Sequence, residues 1–456
     1  MSLFGTDGIR GVANKDLTPD LAVRLGRAAG SWLRNSGGGS AVIGRDTRKS
    51  GPMLGAALAA GFNSAGVDVT TLGVSPTPGV SFAVRTSYTF HLGAVVSASH
   101  NPAEDNGIKF LGHDGRKLSD TAETEIEALI DNLPSVAGDQ VGALSQEPQL
   151  LSAYESWLSD QLPERLDGLR VAVDCANGAA SAIAPRLLRN LGAEVVSMFD
   201  QPDGTNINHE CGATNPGMIQ QLTVESNAAL GIAFDGDADR CVFSDEGGKL
   251  INGDRLMGIW SAFWKNWDKL EPPIIVGTVM SNMGFERALE GLGITLERTG
   301  VGDRYVAERI AETGAKVGGE QSGHIIFSDL TPTGDGLLTA LQLLRVLRKS
   351  GCAASELPPV FENWPQLLVN VRVPDRKVWQ QATDIHNLVA MRSGEFGERG
   401  RIVVRPSGTQ PMIRVMVEAE DSVQRDAVAD EIVARVQQDL GGQVQGRVDL
   451  THALGD

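Results

Sequence analysis

"LAAGFNSAGVDVTTLG", residues 58–73, reads as an apolar helical run, a stop at Gly66, and then an alternating run rich in β-branched residues. A glycine just past a helix supplies the left-handed conformation that ends it, and alternation at period two marks a strand. The phrase returns as "IAPRLLRNLGAEVVSMFD" at 183–200, with Gly192, and as "FERALEGLGITLERTG" at 285–300, with Gly293. Each copy follows another apolar run: "AVIGRD" at 41–46, "LRVAVDCANG" at 169–178 and "PPIIVGTVMSN" at 272–282. Strand, helix and strand in that order predict α/β layers with largely parallel strands. The copies lie roughly 100 residues or more apart, which makes them separate domains of similar build and not a solenoid repeat.

The last quarter is different. After "SGCAASELPPVFENWPQ" come a strand ("LLVNVRV", 367–373), a helical run over 378–391, and two strands ("RIVVRPSG", 401–408; "PMIRVMVEAE", 411–420). A helix over 423–440 closes this α+β unit, with apolar residues at three- and four-residue steps. Seams near 134–150, 246–256 and 350–365 divide the chain into 1–145, 146–252, 253–360 and 361–456. The expected fold is α/β: three similar mixed-sheet domains plus a smaller C-terminal α+β domain.

Composition narrows the function. Forty basic against 57 acidic residues give a formal net charge of −17 over 456 residues. That excludes a nonspecific nucleic-acid binder, which needs clustered Lys and Arg to neutralise phosphates. Cys175, Cys211, Cys241 and Cys352 lie far apart with no C-x-x-C pair, arguing against a zinc cage or disulfide framework. No basic-then-apolar leader opens the sequence, and no run reaches the roughly 18 apolar residues of a membrane span. The expectation is a soluble, cytoplasmic protein.

The sharpest chemical signal is "AFDGDADR", 233–240, directly after an apolar strand-like run. Asp235, Asp237 and Asp239 sit at i, i+2 and i+4, a spacing that in extended backbone sends all three to one side. Clustered carboxylates repel unless a cation sits among them, and hard oxygen donors select Mg²⁺ or Ca²⁺. Glu246 stands twelfth from Asp235, as in a calcium loop, but Arg240 occupies the sixth position where that loop needs glycine. A solvated acidic turn is the plainer alternative.

Other loops add to it. "GGEQSGH", 318–324, flanks Glu320 and Ser322 with glycines, offering an acceptor and a hydroxyl that suit sugar hydroxyls; a polar hairpin turn is the alternative. "RPSGTQP", 405–411, gathers Arg405, Ser407, Gly408 and Thr409 into a compact anion nest without a Walker A pattern. "FGTDGIRG", 4–11, puts Arg10 between glycines on an expected bend, and "IGRDTRKSG", 43–51, carries Arg45 and Arg48 in what reads as ordinary turn chemistry. "SASHNPAEDNGIKF", 97–110, sets Ser99 against His100 with no G-x-S-x-G elbow, so a hydrolase is not announced. Together these suit phosphoryl transfer through a phosphoserine at Ser99, with a metal neutralising the migrating group.

At these residues the chain resembles the α-D-phosphohexomutases (the phosphoglucomutase/phosphomannomutase superfamily), and within them the bacterial phosphoglucosamine mutase branch. The likeness runs through "FGTDGIRGVAN", "SASHNPAEDNGIKF", "DGTNINHECGATNP", "FDGDADR", "VGDRYV", "GGEQSGHII", "TGDG" and "RPSGTQPMIRVMVE", in family order. It implies four domains around a central cleft, carrying in turn the phosphoserine, metal, sugar-recognition and phosphate-anchoring loops. Ser99 would be the phosphoserine; Asp235, Asp237 and Asp239 would bind one Mg²⁺ together with the Ser99 phosphoryl group. Glu320 and Ser322 would read sugar hydroxyls, and Arg405, Ser407, Gly408 and Thr409 would hold the idle phosphate. Arg10, His100, Lys109, Arg240 and His324 would line the reaction centre, Lys109 handling a proton or stabilising charge.

The implied reaction interconverts glucosamine 6-phosphate and glucosamine 1-phosphate through a sugar 1,6-bisphosphate, also an activator, and feeds amino-sugar nucleotide and cell-wall precursor synthesis. The partners implied are small sugar phosphates, with no nucleic acid, no membrane and a possible homodimer. Rivals are a phosphoglucomutase/phosphomannomutase, a phosphatase and a non-catalytic sugar-phosphate sensor. Asp303, in "VGD", matches the glucosamine branch and is a candidate to favour the sugar's amine. Gln410 departs from that branch's glutamate and removes a charge beside the anion nest.

Overall fold

The computed structural model describes residues 3–5, 7–131, 136–265, 270–359, 361–407 and 410–451. The repeated phrase folds three times in the same way. Helices Gly51–Ser64, Ala184–Asn190 and Met283–Gly291 lead into strands Asp68–Val74, Glu194–Met198 and Thr295–Thr299. Gly66, Gly192 and Gly293 lie between them at φ of 78°, 103° and 68°, the left-handed conformation that a helix stop requires. Each of these strands pairs in parallel with the one before its helix: Ser40–Arg45, Arg170–Asp174 and Ile274–Thr278.

A third strand then joins the other side of the leading strand, again parallel: Leu92–Val96, Leu230–Phe234 and Val317–Gly319. A fourth returns antiparallel beside it: Asp105–Gly112, Cys241–Asp245 and Ile325–Phe327. Each of these three sheets therefore runs second, first, third, fourth, and each is mixed because of its returning strand. The first sheet gains Ile9–Val12 and Leu144–Gln146 at its edges, and the second gains Leu250–Ile251. This order has a direction switch beside the leading strand, and ligands gather at the carboxyl ends of strands at such switches.

The C-terminal sheet is antiparallel throughout, in the order Gly400–Pro406, Met412–Ala419, Gln366–Arg372, Gln443–Asp449. Helices Thr383–Phe396 and Ser422–Leu440 complete this unit, the second starting on the Asp421 side chain, which accepts from the Val423 N–H. The helix over 422–440 does not close the unit as expected. Gln443–Asp449 follows it as an edge strand whose side chains are mostly exposed, so it carries no apolar alternation and is held by main-chain pairing.

One hydrophobic cluster extends from Tyr154 to Leu357, so the second and third sheets share a core; its largest fully buried member is Trp260. The first and fourth units have cores of their own. All four cysteines are free, and no helix of the described residues is long and apolar enough to cross a membrane.

Candidate active site

The turns between third and fourth strands occupy equivalent positions in the three repeated units. They are 97–104, 235–240 and 320–324, and they hold Ser99, the three aspartates and Glu320 respectively.

Ser99 adopts φ 51°, a left-handed conformation uncommon for serine and held only where the surroundings impose it. Here they grip its backbone. The Ser99 carbonyl accepts from Arg48 Nη2 at 2.9 Å and Asn208 Nδ2 at 2.8 Å, and its N–H donates to Ser97 Oγ at 2.9 Å. Arg48 is fully buried; its Nε bonds Asp46 Oδ2 at 2.9 Å, and it reaches the carbonyls of Asn101 and Pro102 as well. Arg48 thus has the structural role expected of it. The Ser99 hydroxyl is buried and donates to Asp235 Oδ2 at 2.7 Å, with His100 Nδ1 3.3 Å away.

The aspartate loop is a turn between two antiparallel strands, not the extended run the spacing suggested. Ala238 takes φ 55°, and the Ala238 N–H donates to the Asp235 carbonyl at 3.1 Å. The convergence holds all the same: Asp235, Asp237 and Asp239 are buried and offer oxygens within 4.8 Å of one another. Gly236 allows this loop to meet the serine turn, since a Cβ there would lie 2.5 Å from the Ser99 carbonyl oxygen. Thr77, at the head of helix Thr77–Thr86, fixes the other side; its N–H donates to the Asp237 carbonyl at 2.9 Å and its hydroxyl to the Asp237 carboxylate.

Charge is short of balance here. Burial pushes the Asp235 carboxyl well above the usual range, and the neighbouring Asp239 and Asp237 push it further. Burial acts the same way on Asp237, but the Lys109 ammonium and the Thr77 hydrogen bond outweigh it and hold Asp237 low. Lys109 Nζ lies 2.9 Å from Asp237 and 3.4 Å from Asp239. Burial opposes its charge, yet Asp237, Asp7 and Asp239 raise its pKa well above that of an ordinary lysine. Asp237 Oδ1 and Asp239 Oδ1 are buried with no hydrogen-bond partner among the described residues. Converging, unsatisfied carboxylate oxygens fit a hard divalent cation such as Mg²⁺.

Arg10 lies on the strand Ile9–Val12, paired opposite Gly107, and not on a bend. Its guanidinium reaches Asn101 Oδ1 at 3.4 Å, beside the serine turn, and pairs with Asp7. Asp7 pairs in turn with Lys117. Arg240 follows the aspartates and bridges to His324, which brings the second and third units together. His324 is 2% exposed and neither ring nitrogen has a hydrogen-bond partner among the described residues. Glu320 is buried, accepting the Gly302 N–H at 3.1 Å, while Ser322 stays half-buried.

Arg405 lies within electrostatic reach of Glu320, so the C-terminal unit brings a guanidinium toward the 320–324 turn. Ser407 is buried, its carbonyl held by Arg376 and its N–H by the Met412 carbonyl at 2.8 Å. Gly408 and Thr409 lie outside the described residues. Arg414 stands opposite Arg405 in the strand pairing. Asp303 has its carboxylate 2.6 Å from Lys117 Nζ, so it is not a lone carboxylate awaiting an amine.

Thr77, Asp7, Lys117, Asn208 and Arg414 are the residues that sequence reasoning missed. Asp7 lies inside a quoted motif and Asn208 inside another; Thr77 and Lys117 carry no local signal and gain their meaning only from the packing of units.

Four family descriptions match the chain. "Phosphoglucomutase/phosphomannomutase, alpha/beta/alpha domain I" covers 1–136, domain II 153–248, domain III 252–363, and the "C-terminal domain" 368–435. The phosphoglucosamine mutase of Oceanobacillus iheyensis is 46% identical over 96% of this chain and 99% of its own length. That of Symbiobacterium thermophilum is 48% identical over 96% of this chain and 99% of its own. The crystal structure of a phosphoglucomutase/phosphomannomutase family protein from Burkholderia thailandensis superposes with TM-score 0.82 at 26% identity, covering 98% of this chain and 99% of that one. Aspergillus fumigatus N-acetylphosphoglucosamine mutase, solved in complex with GlcNAc-6P and magnesium, shares the fold at TM-score 0.67 and 18% identity, over 95% of each chain.

Proposed function

Because this chain belongs to the phosphoglucomutase/phosphomannomutase family and is an isomerase of the phosphohexomutase type, we propose that it interconverts glucosamine 6-phosphate and glucosamine 1-phosphate through a phosphorylated Ser99. The observation that carries this reading is the Ser99 hydroxyl 2.7 Å from Asp235, inside a buried three-aspartate cluster. Full-length identity of 46–48% to phosphoglucosamine mutases supports the amino sugar as substrate. The reaction would feed amino-sugar nucleotide and cell-wall precursor synthesis.

In the first half-reaction the phosphorus–Oγ bond of phosphorylated Ser99 breaks as a bond to the sugar O1 forms; the O1 proton passes to a base in the site, and Ser99 Oγ takes up a proton as it leaves. The resulting 1,6-bisphosphate turns over in the cleft. In the second half the phosphorus–O6 bond breaks and O6 takes up a proton, while Ser99 Oγ gives up its own proton and takes the phosphoryl group back. Asp235, Asp237 and Asp239 would hold one Mg²⁺, which when bound neutralises charge on phosphoryl oxygens.

The chain's own residues supply the rest. Lys109, held charged by its aspartates, suits charge stabilisation better than proton transfer, and Arg10 adds a second cation beside the serine turn. His324 is the side chain with ring nitrogens available to exchange the sugar proton. Glu320 and Ser322 read the hydroxyls in either orientation, while Arg405, Ser407, Gly408 and Thr409 anchor whichever phosphate is idle. His100 and Arg240 line the same centre. Most of the rate enhancement comes from positioning and preorganised charge.

The test is product analysis with phosphorylated, Mg²⁺-loaded enzyme and bisphosphate activator on glucosamine, glucose and mannose phosphates. Glucosamine phosphate is expected to be isomerised with the highest kcat/KM, with weak activity on glucose 1-phosphate. Equal or higher efficiency on glucose or mannose phosphate assigns the chain to the rival branch. Free phosphate in place of the isomer indicates a phosphatase, and no turnover indicates a sensor.

A further inference from the structure

Three consecutive residues at the head of helix Asp303–Thr313 each hold a different part of the cleft. The Gly302 N–H donates to Glu320 Oε1 at 3.1 Å. Asp303 Oδ2 lies 2.6 Å from Lys117 Nζ and 3.7 Å from His324 Nε2. Arg304 Nη2 donates to the Leu118 carbonyl at 2.7 Å and to Glu123 Oε2 at 3.1 Å, while Nη1 pairs with Asp120. Lys117, Leu118, Asp120 and Glu123 belong to the first unit, a few residues beyond the strand that carries Lys109. Glu320 and His324 belong to the third.

The contacts form a continuous line. Arg10 pairs with Asp7, Asp7 with Lys117, Lys117 with Asp303, and Asp303 approaches His324. Their side chains are largely dry: Lys117 is 13% exposed, Asp303 18% and Arg304 16%. Ion pairs of this kind add little net stability once desolvation is counted, but they fix geometry, most of all where a guanidinium forks between partners. The ring of His324 is the group whose geometry is otherwise under-determined. Gly334 confines one side of it, since a Cβ there would come within 2.4–2.6 Å of ring atoms, and no hydrogen bond sets its rotation.

We propose that Asp303 and Arg304 are positioning residues, a two-point clamp that fastens the third unit to Lys117–Glu123 and so sets His324 and Glu320 against the serine turn. Asp303, itself held by Lys117, orients the His324 ring. Arg304 fixes how far the 320–324 loop stands from Ser99. The proposal rests on the roles assigned above to Ser99, Glu320 and His324.

The experiment compares full-length, Mg²⁺-loaded wild type with Asp303→Asn, Asp303→Glu, Lys117→Met and the Asp303→Asn/Lys117→Met double variant. In Asp303→Asn, kcat on glucosamine 6-phosphate should fall about 10- to 100-fold, as a misplaced group costs. Its KM should stay within about threefold, because the Gly302–Glu320 contact survives. Asp303→Glu should recover most of the rate, and the double variant should be about as slow as the worse single one, since coupled residues do not add. Amide exchange measured without substrate should quicken at 117–123 and 320–324, with the melting midpoint moved by no more than a few degrees. If Asp303→Asn does not fold, Arg304→Lys, which keeps the charge but loses the fork, takes its place. A kcat within about threefold of wild type, multiplying defects in the double variant, or unchanged exchange at both segments overturns the clamp. Exchange does not depend on the sugar turned over. A wild type inactive on glucosamine phosphates whose variants still show the exchange change would therefore sink the proposed reaction and leave the clamp standing.

Discussion

The serine turn and the end of strand Gly400–Pro406, with Arg405 and Ser407, are both read as phosphate sites, yet the molecule holds them in opposite ways. Ser99 is tied through its backbone by Arg48 from the 46–48 turn and Asn208 from the second unit, and its hydroxyl already touches Asp235. Arg405 instead stands across from another guanidinium, Arg414, whose Nε is buried with no hydrogen-bond partner among the described residues. Burial and Arg414 together lower the Arg405 pKa, with Glu320 partly opposing them. The first site has the backbone of its serine fixed on both sides before anything binds. In the second, two like charges stand opposite each other, which a bound anion would relieve. Bond making needs donors fixed in advance, whereas parking a phosphate needs only a site the ligand completes.

The sharpest way to break this contrast is at the nucleophile. Ser99→Ala should abolish isomerisation and remove the one-phosphate increment from the intact mass, while the melting midpoint moves little because one cleft hydroxyl is lost. Near-normal turnover would dissolve the distinction between the sites. Stripping divalent metal comes next. A chelator should lower turnover by roughly 100-fold or more, Asp237→Asn should imitate it, and Mg²⁺ should restore wild type better than Ca²⁺ because the smaller octahedral ion suits the chemistry. Full activity in excess chelator would leave the aspartates as mere structure.

Arg405→Ala should be milder. A charge-assisted bidentate contact is worth about 1.5–3 kcal/mol, so kcat/KM should drop about 10- to 100-fold in both directions of the reaction. A loss confined to one isomer would mean that the anchor does not serve both phosphates. A loss as deep as that of Ser99→Ala would mean that the anchor belongs to the bond-making machinery after all.

Much of this was legible in the chain. The helix–glycine–strand phrase specified parallel pairing because Gly66, Gly192 and Gly293 each stop a helix at the left-handed residue. Ser99, the aspartates and Glu320 stood out because glycines and polar residues interrupt apolar runs, as loops at strand ends must. That these loops occupy one equivalent position in three sheets was not legible, since the returning antiparallel strands carry no signal of direction. Arg48 acts through a partner distant in sequence within its own unit, Pro102, and Thr77 through Asp237 of the second unit, so the role of Thr77 exists only once the units pack. The edge strand Gln443–Asp449 escaped because its pairing is made by backbone that any sequence possesses.

The grip on Ser99 falls on its peptide oxygen and amide, and that makes the turn a socket indifferent to its plug. Under the proposed reaction, a bare hydroxyl and a bulky dianionic ester would alternate there cycle after cycle while the main chain stays put. For redesign, the φ of 51° ranks the possible replacements in an order that side-chain chemistry would not suggest. Aspartate visits the left-handed region with little strain, whereas a β-branched residue is a genuine outlier there. The backbone of this socket would therefore accept aspartate, whose charge beside Asp235 would need a cation to offset it, and threonine, the nearest hydroxyl to serine, would distort it.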